Sequence, residues 1–363
     1  MHGPLRVRAD RGDRHHRFAA PDPAGRVGHT RGATDGVSGD EVFLTGATGF
    51  IGGHVLDVLL EAGHPVRALV RTHGQLGRRS GLTEVVGDVT RAGRLVDSMR
   101  GCRAVIHTAA AYSFAPAERA RIRSTNVAGT AGILEAARLA EVERAVVTSS
   151  SATVGPARAG RPATEANHAD EHGHSAYHDS KIAAERAALA ARIPTVLVLP
   201  TAPVGARDWK PTPTGAAVLT FLRGRVLASV DGGLNVVAVA DVARAHLAAL
   251  QRGQPGRRYL VGGANLSFDE LWARLGAVSG RRPPRLRMPH AVALLAALVD
   301  EARCRVVAGA QPVVPLEGAR MARHRMYVET RRAQEELGVI PSSVDVALEE
   351  SVRWYREHGY LAA

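Results

Sequence analysis

Cysteine is nearly absent: Cys102 and Cys304 are the two in 363 residues. Two thiols cannot build a disulfide framework, so each reads as a small buried or partly exposed side chain in a reducing compartment, and the chain is expected to be cytoplasmic. Long apolar runs are missing as well. Crossing a bilayer takes about 18 to 20 apolar residues, and the best run, Ala291 to Val299, stops at Asp300 and Glu301. It reads as a core helix, and no membrane partner is expected. Lysine is equally scarce, with Lys181 and Lys210 alone, so the net charge of +12 is carried by arginine. Aromatic residues make up 4% of the chain and do not interleave with the arginines into a stacking platform, which argues against nucleic acid as a partner.

What remains is ordinary for a globular enzyme: 45% apolar and 23% charged residues, in a chain long enough for one large α/β domain with an appended lobe. Residues 1–39 carry Arg, His, Gly, Asp and Pro with almost no apolar periodicity and no signal-peptide core. They are expected to be a disordered tail.

Around the stretch Glu41 to His54 the rest is organised. Val42 to Leu44 reads as a strand, Gly46, Gly49 and Gly52 as a glycine turn, and Phe50 to Glu61 as a helix. Such a unit cradles a pyrophosphate, because glycines let backbone N–H groups approach it and the helix N-terminus adds partial positive charge. The spacing G-x-x-G-x-x-G is not the commonest dinucleotide form, so its context decides. Further strands read at Pro65–Val70, Val85–Val89, Ala104–His107, Arg144–Thr148 and Thr195–Leu199, with Asp88 at the end of the third and Thr90 placed to cap the helix after it. Helical spacing runs over Glu118–Leu139 and His174–Arg192. Alternating strands and helices predict an α/β fold, a doubly wound parallel sheet of Rossmann type with a smaller C-terminal α/β lobe. The expected division is 40–205 for the dinucleotide-binding domain and 206–363 for a substrate lobe with interleaved final sheet elements. Pro200–Gly205 reads as a turn closing the first domain; in the lobe Asp208–Pro213 reads as a loop, Ser267–Glu270 as a capping box opening a helix, and Ala291–Val307, Thr330–Leu337 and Val344–Glu357 as helices.

Tyr177 and Lys181, in Tyr-His-Asp-Ser-Lys, stand one helical turn apart on a shared face. An ammonium near a phenol favours its ionised form and brings a group of reference pKa near 10 within reach of proton exchange. A serine from the run 149–151 is placed to hydrogen-bond a substrate oxygen and orient it.

From residue 41 to 357 the chain resembles the extended short-chain dehydrogenase/reductases, the epimerase/dehydratase group, and within it the dihydroflavonol-reductase-like and hopanoid-associated sugar epimerase branch. The resemblance rests on Thr45–Gly52, Gly87-Asp88-Val89, His107–Ala110, Asn126–Thr130, Thr148–Ser150, Tyr177-x-x-Ser-Lys181 and Lys210–Gly215. It implies Tyr177 as proton donor or acceptor, Lys181 as the group that lowers its pKa and holds the nicotinamide ribose, and Ser150 as the group that polarises the carbonyl. It further implies a dinucleotide held by Gly46, Thr48, Gly49, Phe50, Ile51 and Gly52, with Asp88 and Val89 at the adenine, Ala109 and Ala110 at its centre, and Pro200 and Val204 at the nicotinamide end. Asn126 is implied as a helix-bending or relay residue.

Cofactor choice reads from Val66-Arg-Ala-Leu-Val-Arg71, which holds no carboxylate to take a ribose 2′-hydroxyl and ends in an arginine suited to a 2′-phosphate. NADP(H) is therefore the expected cofactor, with NAD(H) as the other candidate. His168, His172, His174 and His178 read as a loop near the substrate entrance rather than a metal site, since no cysteine joins them and Gly173 interrupts them. Three activities follow: hydride transfer between NADP(H) and a ketone or secondary alcohol, epimerisation or dehydration of a nucleotide-linked sugar on a retained NAD, and a non-catalytic dinucleotide sensor, which the Tyr177–Lys181 pair disfavours. The partner is a small molecule, with Tyr112, Phe114, Trp209, Lys210 and Tyr327 as candidate pocket residues. A homodimer is left open.

Overall fold

β1 (Val42–Thr45) is buried along its whole length, and the glycine turn after it feeds α1 (Phe50–Glu61), within the bounds read from the sequence. The computed structural model describes residues 40–112, 118–157, 160–170, 175–306 and 316–361, so the expected tail at 1–39, together with Phe114, His172 and His174, lies outside the described residues. Next come β2 (Val66–Val70), β3 (Leu82–Val86), α2 (Val96–Met99) and β4 (Ala104–His107). The long helix expected over 118–139 is instead α3 (Arg119–Arg123), a π-turn at Ser124–Ala128, and α4 (Gly129–Leu139). β5 (Arg144–Thr148), α5 (Ala176–Leu189) and β6 (Thr195–Pro200) complete the first half. The third strand thus ends before Asp88. Asp88 itself caps the following 3₁₀ turn, its carboxylate accepting from Thr90 N at 2.7 Å, so Thr90 is the donor rather than the cap.

In the second half, β7 (Ala202–Val204) occupies the stretch expected to be a turn, and α6 (Pro213–Leu222) starts inside the expected loop. Then follow β8 (Ala228–Ser229), β9 (Gly233–Ala238), α7 (Val239–Arg252), β10 (Arg258–Val261) and β11 (Ala264–Ser267). The last elements are α8 (Phe268–Ser279) with its capping box, β12 (Leu286–Arg287), α9 (His290–Val306), α10 (Leu316–Met321), β13 (Arg325–Met326), α11 (Arg331–Leu337) and α12 (Val344–Glu357).

Seven parallel strands in the order β10-β6-β5-β4-β1-β2-β3 make the main sheet. One face packs on α1, α7 and α11 through Val55, Leu59, Val242, Ala245 and Leu337. The other packs on α2, α4 and α5 through Met99, Ile133, Leu134 and Ala188. This is a doubly wound Rossmann-type sheet, and its strand order reverses between β1 and β4, which opens a crevice at their C-terminal ends. β7 replaces the expected turn because its three residues are extended only through parallel pairing with β9, more than thirty residues later in the chain. A second core gathers α6, α8, α12 and β9 around Phe221, Trp272, Leu348 and Tyr355. α9 corrects the expected core helix in one respect: its apolar residues Val292, Leu295, Leu298 and Val299 face outward.

Candidate functional site

At the crevice, the turn after β1 approaches the loop after β4 so closely that side chains are excluded. Gly46 takes φ +79°, and a Cβ there would lie 2.5 Å from Thr108 Oγ1 and 2.7 Å from Ala109 N. A Cβ on Gly52 would sit 2.0 Å from Gly46 O, so α1 starts hard against its own turn. Gly49 is the N-cap of α1 and offers no side chain, and the first turn of the helix has no acidic residue. The first-turn N–H groups of Phe50, Ile51 and Gly52 are thereby left to a ligand, with Thr48 and Gly49 exposed beside them. That geometry suits a pyrophosphate.

Two buried networks hold the crevice in register. His107 bridges β1 to α4: its Nδ1 accepts from Thr45 Oγ1 at 2.7 Å, and its Nε2 donates to Thr130 Oγ1 at 3.1 Å, whose own hydroxyl is spent on Asn126 O. Asn126 lies in the π-turn, which swings its amide inward. There it accepts from Ala111 N at 2.7 Å and donates to Ala111 O and Ser180 Oγ, each at 2.9 Å. The loop carrying Ala109 and Ala110 is thus tied to the helix carrying Tyr177.

The three serines after β5 diverge. Ser149 points inward and donates to Glu185; Ser151 begins a short 3₁₀ turn; Ser150 caps that turn, and its hydroxyl lies near enough to the Tyr177 phenol to favour its ionised form. Burial pushes the Tyr177 phenol up to about 12, and the neighbouring Ser150 hydroxyl offsets this only partly. Lys181, buried one turn on, donates from Nζ to Thr148 O at 2.7 Å, and burial pulls it down to about 8 against the opposing pull of Glu185. The structure therefore departs from the expected electrostatics: desolvation dominates the phenol, and the ammonium is aimed at the Thr148 carbonyl. Tyr112 packs edge-on against Tyr177 with ring centroids 4.4 Å apart. His178 is held by Ser175, while His168, ten residues earlier, lies against Arg258 from β10. No group of three metal-ligating side chains occurs among the described residues.

Of the other anticipated residues, Arg71 is exposed immediately after β2 and near enough to Asp88 to help hold that carboxyl below its usual range, behind the larger effect of the two Thr90 hydrogen bonds. Glu84, the carboxylate on the adjoining strand, is engaged by the N–H groups of Gly74 and Leu76 at 2.5 and 2.7 Å. Pro200 and Val204 end β6 and β7. Trp209 packs against Trp354 of α12 and His358 just after it, and Lys210 is exposed beside it. Tyr327 gives its backbone carbonyl to Ala163 N at 2.8 Å.

Sequence reasoning missed a buried layer behind the site. Glu185 accepts from Ser149 and Thr153 and lies 2.9 Å from Arg258 Nε, without the alignment of a hydrogen bond, so the attraction is mainly Coulombic. Arg258 also donates to Glu165 O at 2.8 Å and Thr153 Oγ1 at 3.1 Å. His246 accepts from Thr148 Oγ1 at 2.7 Å and donates to Val242 O. The i, i+4 spacing of Lys181 and Glu185 was a usable signal; Arg258 and His246 had none.

The buried histidines His107 and His246 are neutral. Desolvation lowers His246 to about 4 and His107 to about 3, Lys181 adding its repulsion to the latter. Their native values lie below the reference near 6.5, so the unfolded chain binds more protons as the pH falls, and stability is lost between about pH 6.5 and 4. The slope is about 1.4 kcal/mol per pH unit for each histidine. Thermal melts at intervals across that range should show a steadily falling Tm; a constant Tm would contradict the assignment.

Comparison with known proteins adds context to this geometry. The family model described as "NAD dependent epimerase/dehydratase family" matches residues 42–262. A putative dihydroflavonol 4-reductase from Synechocystis is 40% identical, over 89% of this chain and 96% of that protein. Sterol demethylase protein B from Methylococcus capsulatus is 29% identical, over 88% and 99%. The crystal structure of a nucleoside-diphosphate-sugar epimerase from Pseudomonas aeruginosa is 26% identical and superposes with a TM-score of 0.73, over 89% and 99%.

Proposed function

Since the chain belongs to the NAD-dependent epimerase/dehydratase family of extended short-chain dehydrogenase/reductases, we propose that it interconverts a ketone and a secondary alcohol with NADP(H) as preferred cofactor, using Ser150, Tyr177 and Lys181. The observation that carries this reading is the placement of the Ser150 hydroxyl against the Tyr177 phenol at the C-terminal edge of the sheet, near enough to favour the ionised phenol, with buried Lys181 one turn away. A nicotinamide dinucleotide, once bound, supplies the two-electron donor or acceptor.

The chain's own residues do the rest. The N–H groups at the start of α1 and the turn of Gly46, Thr48 and Gly49 seat the pyrophosphate, Asp88 and Val89 lie toward the adenine, and Ala109, Ala110, Pro200 and Val204 border the path to the nicotinamide. Ser150 Oγ orients the substrate oxygen, and Tyr177 Oη donates a proton to it during reduction. Lys181, one turn along α5 and aimed at Thr148 O, holds the ribose once the dinucleotide is bound. Residues beyond 205 that do not return to the main sheet, with Tyr112 at the rim, form the substrate lobe. A substrate panel containing ketones and nucleotide-linked sugars tests this: NADPH consumption with a ketone supports it, and turnover of sugars alone overturns it. The family's name favours a second reading, an epimerase or dehydratase cycle on a retained dinucleotide. Mass spectrometry of the protein as purified separates the two, because only that cycle predicts retained NAD.

The cofactor preference rests on Arg71 and on the engagement of Glu84 elsewhere. Fluorescence titration should show NADPH binding more tightly than NADH. Arg71→Glu should weaken NADPH by about 10- to 100-fold, the size of one charge-assisted phosphate contact, while leaving NADH nearly unchanged. Tighter NADH binding by the unaltered protein would sink the preference.

A further inference from the structure

α9 is amphipathic in the inverted sense. Its inner side carries Ala297, fully buried, with His290, Asp300, Glu301 and Cys304 half-buried around it. Its outer side carries Val292, Leu295, Leu298, Val299 and Val306, with alanines between them; Leu295 and Val299 are each 62% exposed and Val306 85%. At 100° per residue these five fall within an arc of about 120°, one continuous stripe. Arg303 is the one charged residue among those described on that side, and it leans back onto Asp300 at 2.7 Å. A stripe of this extent on a protein surface marks a contact with something apolar.

Charge identifies the partner. The segment leading into α9 is Arg281-Arg-Pro-Pro-Arg-Leu-Arg287, with all four arginines exposed. Neither Arg282 nor Arg285 has an ion-pair partner among the described residues. Leu286, 69% exposed, lies in β12 beside β8, which follows Leu227, itself 77% exposed, so two apolar side chains project from within the basic patch. A second copy docking through a two-fold axis would cover the apolar stripe but supply no opposite charge to the arginines at the start of α9. A surface of acidic headgroups over acyl chains satisfies both halves of the patch. No described helix is long and apolar enough to cross a bilayer; at 17 residues α9 spans about 25 Å, enough to lie along the interface.

We propose that the outer face of α9, together with the arginine-rich segment 281–287, docks the protein reversibly on anionic lipid bilayers. The proposal stands apart from the catalytic reading, because none of these residues belongs to the candidate site.

The test is flotation of the full chain with vesicles of phosphatidylcholine alone and of phosphatidylcholine mixed with phosphatidylglycerol. Recovery should occur with the mixed vesicles and fall as salt is raised. Leu295→Glu with Val299→Glu should lower recovery about tenfold or more, since both side chains already face outward and their change leaves the core intact. Arg282→Glu with Arg285→Glu should lower it comparably and abolish the salt dependence. Unchanged melting temperature and unchanged ketone reduction in both variants show that docking alone was altered. Absence of recovery with mixed vesicles overturns the proposal, as do equal recovery with neutral vesicles and full recovery of the Leu295→Glu, Val299→Glu variant. Light scattering of the same samples adds one more arm: a dimer that this variant dissociates, with no vesicle binding by the unaltered chain, would replace the lipid by a second copy.

Discussion

Tyr177→Phe should reduce turnover by about 10²–10⁴-fold, the range spanned by a positioned proton donor, while NADPH affinity changes by no more than the loss of one hydrogen bond, a factor of about five. The substitution keeps the ring and its edge contacts with Tyr112 and His178 and removes only the hydroxyl that meets Ser150. Ser150 keeps its acceptance from Ala152 N at 3.2 Å, so the turn holding it stays in place. Ser150→Ala should cost less, about 10²-fold, and the double variant little more than Tyr177→Phe alone, because the two hydroxyls act on one oxygen. Turnover equal to that of the unaltered protein would refute the role given to Tyr177.

The same site predicts the shape of the pH profile. With the phenol pushed up to about 12, Tyr177 stays protonated and competent to donate throughout the working range, so it does not set the limb. Lys181, pulled down to about 8, titrates first and loses its charge above that value. Reduction should be flat below about pH 8 and decline above it.

How far these features were legible differs from element to element, for physical reasons. α1, β4, β5 and α12 have the bounds read from the sequence because their signals are local: a glycine turn, a short apolar run between polar flanks, a helical stripe ending near His358. β7 and β10 take their form from partners distant in the chain, and no local pattern encodes that. The helix at α9 was readable, but nine consecutive apolar residues carry no amphipathic phase, so the face turned toward the protein could not be chosen. The π-turn around Asn126 was equally hidden, since an added residue per turn leaves no trace in composition. At the site, Tyr177, Lys181 and the serine run were visible because their spacing is itself the chemistry. The buried layer beneath them was not, because it is assembled from β5, α5, α7 and β10.

That layer carries the second large effect. Arg258→Met leaves Glu185 charged and buried with only Ser149 and Thr153 as hydrogen-bond partners, and should lower stability by about 3–5 kcal/mol. Joining it to Glu185→Leu should recover much of the loss, since the apolar pair abandons no charge. Glu185→Gln is the informative single change. It keeps an amide oxygen able to accept from Ser149 and Thr153, and it removes the negative charge that holds Lys181 up against desolvation. Lys181 should then lose its proton at lower pH, and the alkaline decline in reduction should begin below about 8. Melting curves read the first effect and pH–rate profiles the second. A Glu185→Gln enzyme that is less stable but keeps its alkaline limb unmoved would confine Glu185 to a packing role. A limb shifted toward neutrality would make it a positioning residue acting through Lys181, one turn away on the same face of α5.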